Sequence, residues 1–168
     1  MAARIYVYTG EGEGKTSAAV GHALREIGHG KKVVMVQFMK GRRNIGELLA
    51  SDVLENFEIR QFGRPDFVDF ENPKGIDIEK ANHGLQFSLE ALKGKPDLLI
   101  LDEVNTAIHY KLLEVGEVLL LLDKVPPSTA VILTGRNAPR EFIDKADVVT
   151  EMSLVKYTEM PAVEGLEY

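Results

Sequence analysis

The sequence has no cysteine and no tryptophan among its 168 residues. Without cysteine there is no disulfide, no thiolate-ligated metal centre and no cysteine nucleophile. No apolar run approaches the roughly 20 residues needed to span a bilayer, and Met1-Ala2-Ala3-Arg4 leads into a strand-like segment, not a signal peptide. Positive charge is also short: 20 Lys and Arg against 26 Asp and Glu leave −6, which argues against general affinity for nucleic acid or an anionic membrane. Internal repeats and low-complexity tracts are missing too. What remains reads as a cytoplasmic globular protein, 45% hydrophobic and 27% charged, with a length that predicts one domain over residues 1–168. Function has to be sought in motifs.

Short apolar or β-branched runs alternate with amphipathic ones. Ile5–Tyr8, Val33–Phe38, Phe57–Phe62, Leu98–Leu101, Ala130–Leu133 and Val148–Val149 read as six strands. Several are apolar throughout, as strands covered on both faces of a parallel sheet must be. Helices are expected over Lys15–Ile27, Asn44–Val53, Asp77–Leu92, Val115–Lys124 and Pro139–Lys145, with Asp77 as an N-cap and Gly94 as a stop. Repeated strand, crossover helix and strand predict an α/β fold of three layers, α/β/α, around a mainly parallel sheet of about six strands. Ligands then belong at the carboxyl ends of the strands.

Directly after the first strand comes Thr9-Gly10-Glu11-Gly12-Glu13-Gly14-Lys15-Thr16-Ser17. A Gly-Lys-Thr ending between strand and helix is the context of a phosphate-binding P-loop, in which backbone N–H groups and a helix N-terminus surround phosphate oxygens. Lys15 would bridge phosphates, and the Thr16 hydroxyl would ligate Mg²⁺. The usual pattern wants glycine at position 9, where this chain has Thr9, and Glu11 and Glu13 put carboxylates in an anion site unless they face solvent or a metal. A plain glycine-rich turn is the alternative.

Leu98–Leu101 ends in Asp102-Glu103. In a P-loop NTPase-like (RecA-like) domain this is the strand whose carboxylate meets the metal, so Thr16, Asp102 and Glu103 form the candidate cation site for Mg²⁺ or Mn²⁺, and Lys15, Thr16 and Glu103 the candidate catalytic set. Arg136 leaves the strand before it at the same edge, where it could neutralise phosphate or a substrate carboxylate, or simply be a surface arginine. His22, His29, His83 and His109 have no metal-ligand spacing and read as structural or surface residues.

Taken together, residues 8–19, Val36-Gln37-Phe38-Met39-Lys40-Gly41, Leu101-Asp102-Glu103-Val104-Asn105, Leu133-Thr134-Gly135-Arg136-Asn137-Ala138-Pro139 and residues 146–152 resemble the P-loop type of ATP:corrinoid adenosyltransferase. Thr9 in place of the first P-loop glycine is a trait of that family. The chain departs from it at Glu13, where a basic residue is common, at Tyr157 in place of histidine, in a shorter tail, and in starting its first strand without an N-terminal helix. The resemblance implies ATP as co-substrate, held by residues 9–17 and Arg136 with C5′ exposed in place of the γ-phosphate. It implies a reduced corrinoid (cobalamin, cobinamide or a precursor) as acceptor, a flavoprotein reductase or similar electron donor, and a homodimer. Bulky aromatics after the third strand serve the corrin in this family. The counterparts by position are Phe62, Phe67 and Phe70, each of which could equally cover a core edge. The competing expectations are an ATPase or kinase using the loop in its ordinary orientation, and a nucleotide-binding module without turnover.

Overall fold

A strand buried on both faces needs an apolar residue at nearly every position, and the centre of this chain supplies such strands. In the computed structural model, which describes residues 3–66, 68, 69 and 72–166, the segments Val33–Phe38 and Leu98–Asp102 are buried at every position. The order of elements is β1 (Ile5–Thr9), α1 (Lys15–Gly28), β2 (Val33–Phe38), α2 (Gly46–Ser51), β3 (Phe57–Phe62), α3 (Gly75–Lys93), β4 (Leu98–Asp102), α4 (Val104–His109), α5 (Val115–Leu122), β5 (Ala130–Thr134), α6 (Arg140–Lys145) and β6 (Val148–Glu151). Among the described residues the strands form one sheet, in the order β3-β2-β4-β5-β1-β6, and every pairing is parallel. No helix among these residues is long and apolar enough to cross a membrane.

Two apolar cores follow from the alternation of side chains along each strand. Val34, Val36, Leu99, Leu101 and Leu133 point to one face, where α3, α4, α5 and α6 cover them with Leu85, Ala107, Val118 and Phe142. Val33, Met35, Ile100 and Ile132 point to the other, beneath Ala19 and Ala23 of α1. The small residues let α1 lie close to the sheet, which fixes where its first turn, and hence the phosphate loop, stands. The expected three-layer architecture with a parallel sheet is thus observed.

Several boundaries differ from the expectation, and four of the differences have a structural reading. The helix α4 starts immediately after β4 and is only six residues long, too short to show a periodic pattern. The segment predicted over Asn44–Val53 is helical only from Gly46 to Ser51. Strand β6 runs on to Glu151 because Met152 and Thr9 remain paired beyond it. Asp77 is not the N-cap of α3: the helix begins at Gly75 and its cap is Lys74. The Asp77 carboxylate reaches back to accept from the Lys74 N–H at 3.1 Å, while Arg64 donates to it through Nε at 2.7 Å and Nη2 at 3.2 Å.

That pair ties the loop after β3 to the start of α3. The Arg64 hydrogen bonds are the main reason the Asp77 carboxyl is held below its ordinary value, with burial opposing them and the Lys74 N–H assisting. A depressed carboxyl pKa stabilises the fold above the ordinary carboxylate range, and this contribution is lost as pH falls through that range and below it. Asp77→Asn should therefore lower the melting temperature by several degrees at neutral pH. Melts at pH 7 and pH 3 should show the gap to the parent closing in acid; a gap that stays constant would mean the ion pair is not its source.

Candidate active site

Three non-glycine residues at or just beyond the carboxyl ends of β2, β4 and β5 have left-handed backbone: Met39 (φ 60°), Glu103 (φ 64°) and Asn137 (φ 55°). L-residues adopt this conformation at a cost and cluster there where the surrounding structure imposes it. All three lie on the same edge of the sheet as the phosphate loop, and two clefts open between them. One, of about 610 Å³, is lined by Gly12–Ser17, Glu103, Arg136 and Leu166. The other, of about 540 Å³, has an apolar floor of Phe38, Met39, Ile45 and Val68 and a polar rim including Lys40, Arg42 and Arg64. Glu103 and Arg136 belong to both and form the wall between them.

The loop from Thr9 to Gly14 is shaped by β6. Met152 N–H donates to Thr9 O at 2.8 Å, and Gly12 N–H donates to Met152 O at 2.7 Å. This close approach explains the displaced glycines. A Cβ at Gly10 would lie 2.4 Å from Met152 O, and one at Gly12 would lie 2.7 Å from it. Position 9 has no such restriction: it ends β1, and the Thr9 hydroxyl accepts from Ala138 N–H at 3.2 Å, joining the phosphate loop to the loop after β5. Glu11 and Glu13 are exposed, as carboxylates in an anion-binding loop must be. Glu11 lies 3.3 Å from the Arg136 guanidinium across the mouth, an exposed pair of small energetic weight.

Lys15 is buried, and its ammonium donates to the carbonyls of Gly10 and Gly12 within the loop. Burial is the largest influence on it and pushes its pKa down, partly countered by Glu103. Thr16 is the second residue of α1, and its hydroxyl donates to Asp102 Oδ1 at 2.8 Å, so α1 and β4 bring together two of the three residues of the expected cation site. Glu103 lines the same cleft as Thr16, but its carboxylate accepts from the Thr106 hydroxyl at 2.6 Å. Thr106 in turn accepts from Arg136 N–H at 3.0 Å, which fixes the dividing wall through α4.

The sequence reading assigned no role to the polar groups that complete this cluster. Asp102 is wholly buried and also accepts from Thr134 Oγ1 at 2.7 Å, Gln37 Nε2 at 3.3 Å and Lys40 Nζ at 2.8 Å. Gln37, itself fully buried, bridges to Glu47 at 2.9 Å. Burial works against the Lys40 ammonium, yet Asp102, with Glu47 and Glu103 behind it, outweighs that and holds its pKa above the ordinary value. The signal in the sequence was a lone Gln37 inside an otherwise apolar strand, followed by Lys40 at its end.

Phe62 turns onto α3, its ring centroid 5.5 Å from that of Phe87, and lines neither cleft. Phe67 and Phe70 lie outside the described residues. His22 shares a 2.8 Å hydrogen bond with the Tyr8 hydroxyl and has a structural place. No group of three or more His, Cys, Asp or Glu among the described residues could enclose a metal by itself. Thr16 and Asp102 offer hard oxygen donors, and a cation there would need phosphate oxygens to complete its shell, which suits Mg²⁺.

The family described as "ATP:corrinoid adenosyltransferase BtuR/CobO/CobP" matches over residues 2–168. The chain is 36% identical to a corrinoid adenosyltransferase of Pseudomonas aeruginosa over 98% of its own length and 83% of the relative's. It is 33% identical to one from Sinorhizobium over 98% and 79% of the two chains, and 36% identical to one from Escherichia coli K12 over 91% and 78%. Among solved structures, a KaiC-like protein from Pyrococcus horikoshii superposes with a TM-score of 0.58 at 16% identity, over 93% of this chain and 74% of that one, a likeness of fold alone.

Proposed function

The chain belongs to the ATP:corrinoid adenosyltransferase family, transferases of cobalamin metabolism, and we propose that its two clefts divide the reaction between two substrates. ATP places its phosphates on residues 9–17, and a reduced corrinoid occupies the apolar-floored cleft. The observation that supports this reading is that Glu103 and Arg136 line both clefts, so substrates bound in the two would lie side by side. The 5′-deoxyadenosyl group is transferred when the Co(I) electron pair attacks C5′, a cobalt–carbon bond forms, the C5′–O bond breaks and triphosphate takes the bonding pair.

The nucleophile is carried by the substrate, so the protein's own tasks are positioning and stabilisation of the leaving group. Loop N–H groups, Lys15 and Arg136 face the triphosphate as its charge grows. Thr16 and Asp102, with Glu103 beside them, would hold Mg²⁺ or Mn²⁺, which when bound neutralises part of that charge. Lys15 exchanges its bonds to the loop carbonyls for phosphate oxygens. Phe67 and Phe70 are proposed, by sequence position, to meet the corrin. A flavoprotein reductase as electron donor, a homodimeric assembly and a cytoplasmic location complete the proposal from family membership.

The test is an anaerobic reaction of the protein with ATP, Mg²⁺ and chemically reduced cob(I)alamin. Loss of the Co(I) absorbance should match, mole for mole, the triphosphate formed. ADP and phosphate released at the same rate without corrinoid would instead assign the loop to ordinary hydrolysis.

A further inference from the structure

An ionised carboxylate offers about four lone-pair positions. Asp102 has all of them in use: Thr16 Oγ1 and Thr134 Oγ1 donate to Oδ1 at 2.8 and 2.7 Å, and Lys40 Nζ and Gln37 Nε2 donate to Oδ2 at 2.8 and 3.3 Å. Thr134 and Gln37 are fully buried strand residues, and Thr16 stands in the first turn of α1. Lys40 differs from them. It lies beyond the end of β2, next to the left-handed Met39, and its ammonium sits at the tip of a four-carbon stem with 30% of the side chain exposed. The same nitrogen is 3.4 Å from Thr16 Oγ1. It therefore stands against both side chains that would hold a divalent cation, and like charges at such separations repel strongly where water is scarce.

We propose that Lys40 is the built-in counter-ion of the cation site, neutralising Asp102 until an incoming divalent ion displaces it. The proposal rests on Thr16 and Asp102 being the metal ligands. A place for the displaced ammonium already exists. Glu47 Oε1 is 3.8 Å from Lys40 Nζ, and Gln37 holds that carboxylate in position. Lys40 also lines the apolar-floored cleft, so its movement transfers a positive charge from the metal ligands toward the second substrate's side of the wall. Two consequences follow. The metal alone binds weakly, because it has to break the Lys40–Asp102 pair without help. Metal arriving with the nucleotide binds well, because phosphate oxygens supply additional ligands and negative charge.

The experiment titrates Mn²⁺ without nucleotide into the parent protein, Lys40→Met, Lys40→Gln and Lys40→Arg, and reads the free-ion electron paramagnetic resonance signal. Both neutral variants should bind Mn²⁺ at least tenfold more tightly than the parent. Their melting temperatures should rise with added Mg²⁺ while that of the parent stays flat, and Lys40→Arg, which keeps the charge, should bind Mn²⁺ no more tightly than the parent. If neither neutral variant gains affinity, the counter-ion role is wrong. Asp102→Asn separates that failure from a deeper one. Loss of Mn²⁺ binding to its ATP complex would leave the metal ligands as proposed and reject only the role of Lys40, whereas unchanged binding would reject the ligand assignment as well.

Discussion

Asp102→Ala should lower the stability of the fold by about 3–5 kcal/mol, the usual cost of removing one partner from a buried, hydrogen-bonded charge cluster. The side chain it deletes is wholly buried and accepts from Thr16, Thr134, Gln37 and Lys40. Without it three neutral donors lose a partner and the Lys40 ammonium keeps only the Thr16 hydroxyl at 3.4 Å and the more distant Glu47 carboxylate at 3.8 Å among its hydrogen-bond and ion-pair partners. Urea unfolding measures the loss. A double-mutant cycle with Lys40→Met assigns its source, since removing the orphaned ammonium should recover part of it. Strict additivity of the two single variants would show that the pair is not coupled. Adenosyl transfer should also fall, on the order of 100-fold or more, as expected when charge stabilisation at a leaving group is removed.

Gly10→Ala should damage the molecule by a different route. Its backbone is left-handed, φ 95°, and an added Cβ would lie 2.4 Å from Met152 O and 2.8 Å from Met152 N. Neither neighbour is a flexible side chain. Both are main-chain atoms, and Met152 N is engaged in the tie between β6 and the loop. The left-handed conformation and the overlap together should cost roughly 2–4 kcal/mol. Relief would come from loosening the loop, so ATP affinity should drop at least tenfold in a fluorescent-nucleotide titration. Gly21→Ala in α1 is the matched control. Nothing lies within 4 Å of a Cβ there, and the helix interior should gain about 0.5–1 kcal/mol. Equal effects at the two glycines would refute the argument from close approach.

The strands were legible because a parallel sheet covered on both faces demands apolar runs, and Val33–Val36 and Leu98–Leu101 contain nothing else. The phosphate loop was legible for a related reason: strand, glycines, Gly-Lys-Thr and helix succeed one another without a gap. Its irregular glycines were readable only as a departure, because Met152, whose carbonyl requires them, is more than a hundred residues away in the chain. The helix α4 escaped because one and a half turns carry no period, and its site contribution, Thr106, looks like any threonine. Lys40 stands in the Val36–Gly41 motif with no neighbour in sequence that marks a role for it. Its nearness to Thr16 and Asp102 comes from β2 pairing with β4, a register that sequence alone does not give. Asp77 has a good capping residue type but is the third residue of its helix, where its carboxylate accepts from Arg64 and the Lys74 N–H together.

The tie between β6 and the loop also sets an order of events during synthesis. Residues 9–17 leave the ribosome well before β6, yet the main-chain partners that shape them are Thr9 with Met152 and Gly12 with Met152. The most local-looking motif in the chain therefore depends on one of its most distant contacts, and contacts of high sequence separation form late. A nascent chain holding every residue of the phosphate loop, the whole of β4 and Arg136 but ending before β6 would lack the nucleotide-binding conformation. On the proposed reading of the loop, competence for ATP should be gained only when β6 docks beside β1.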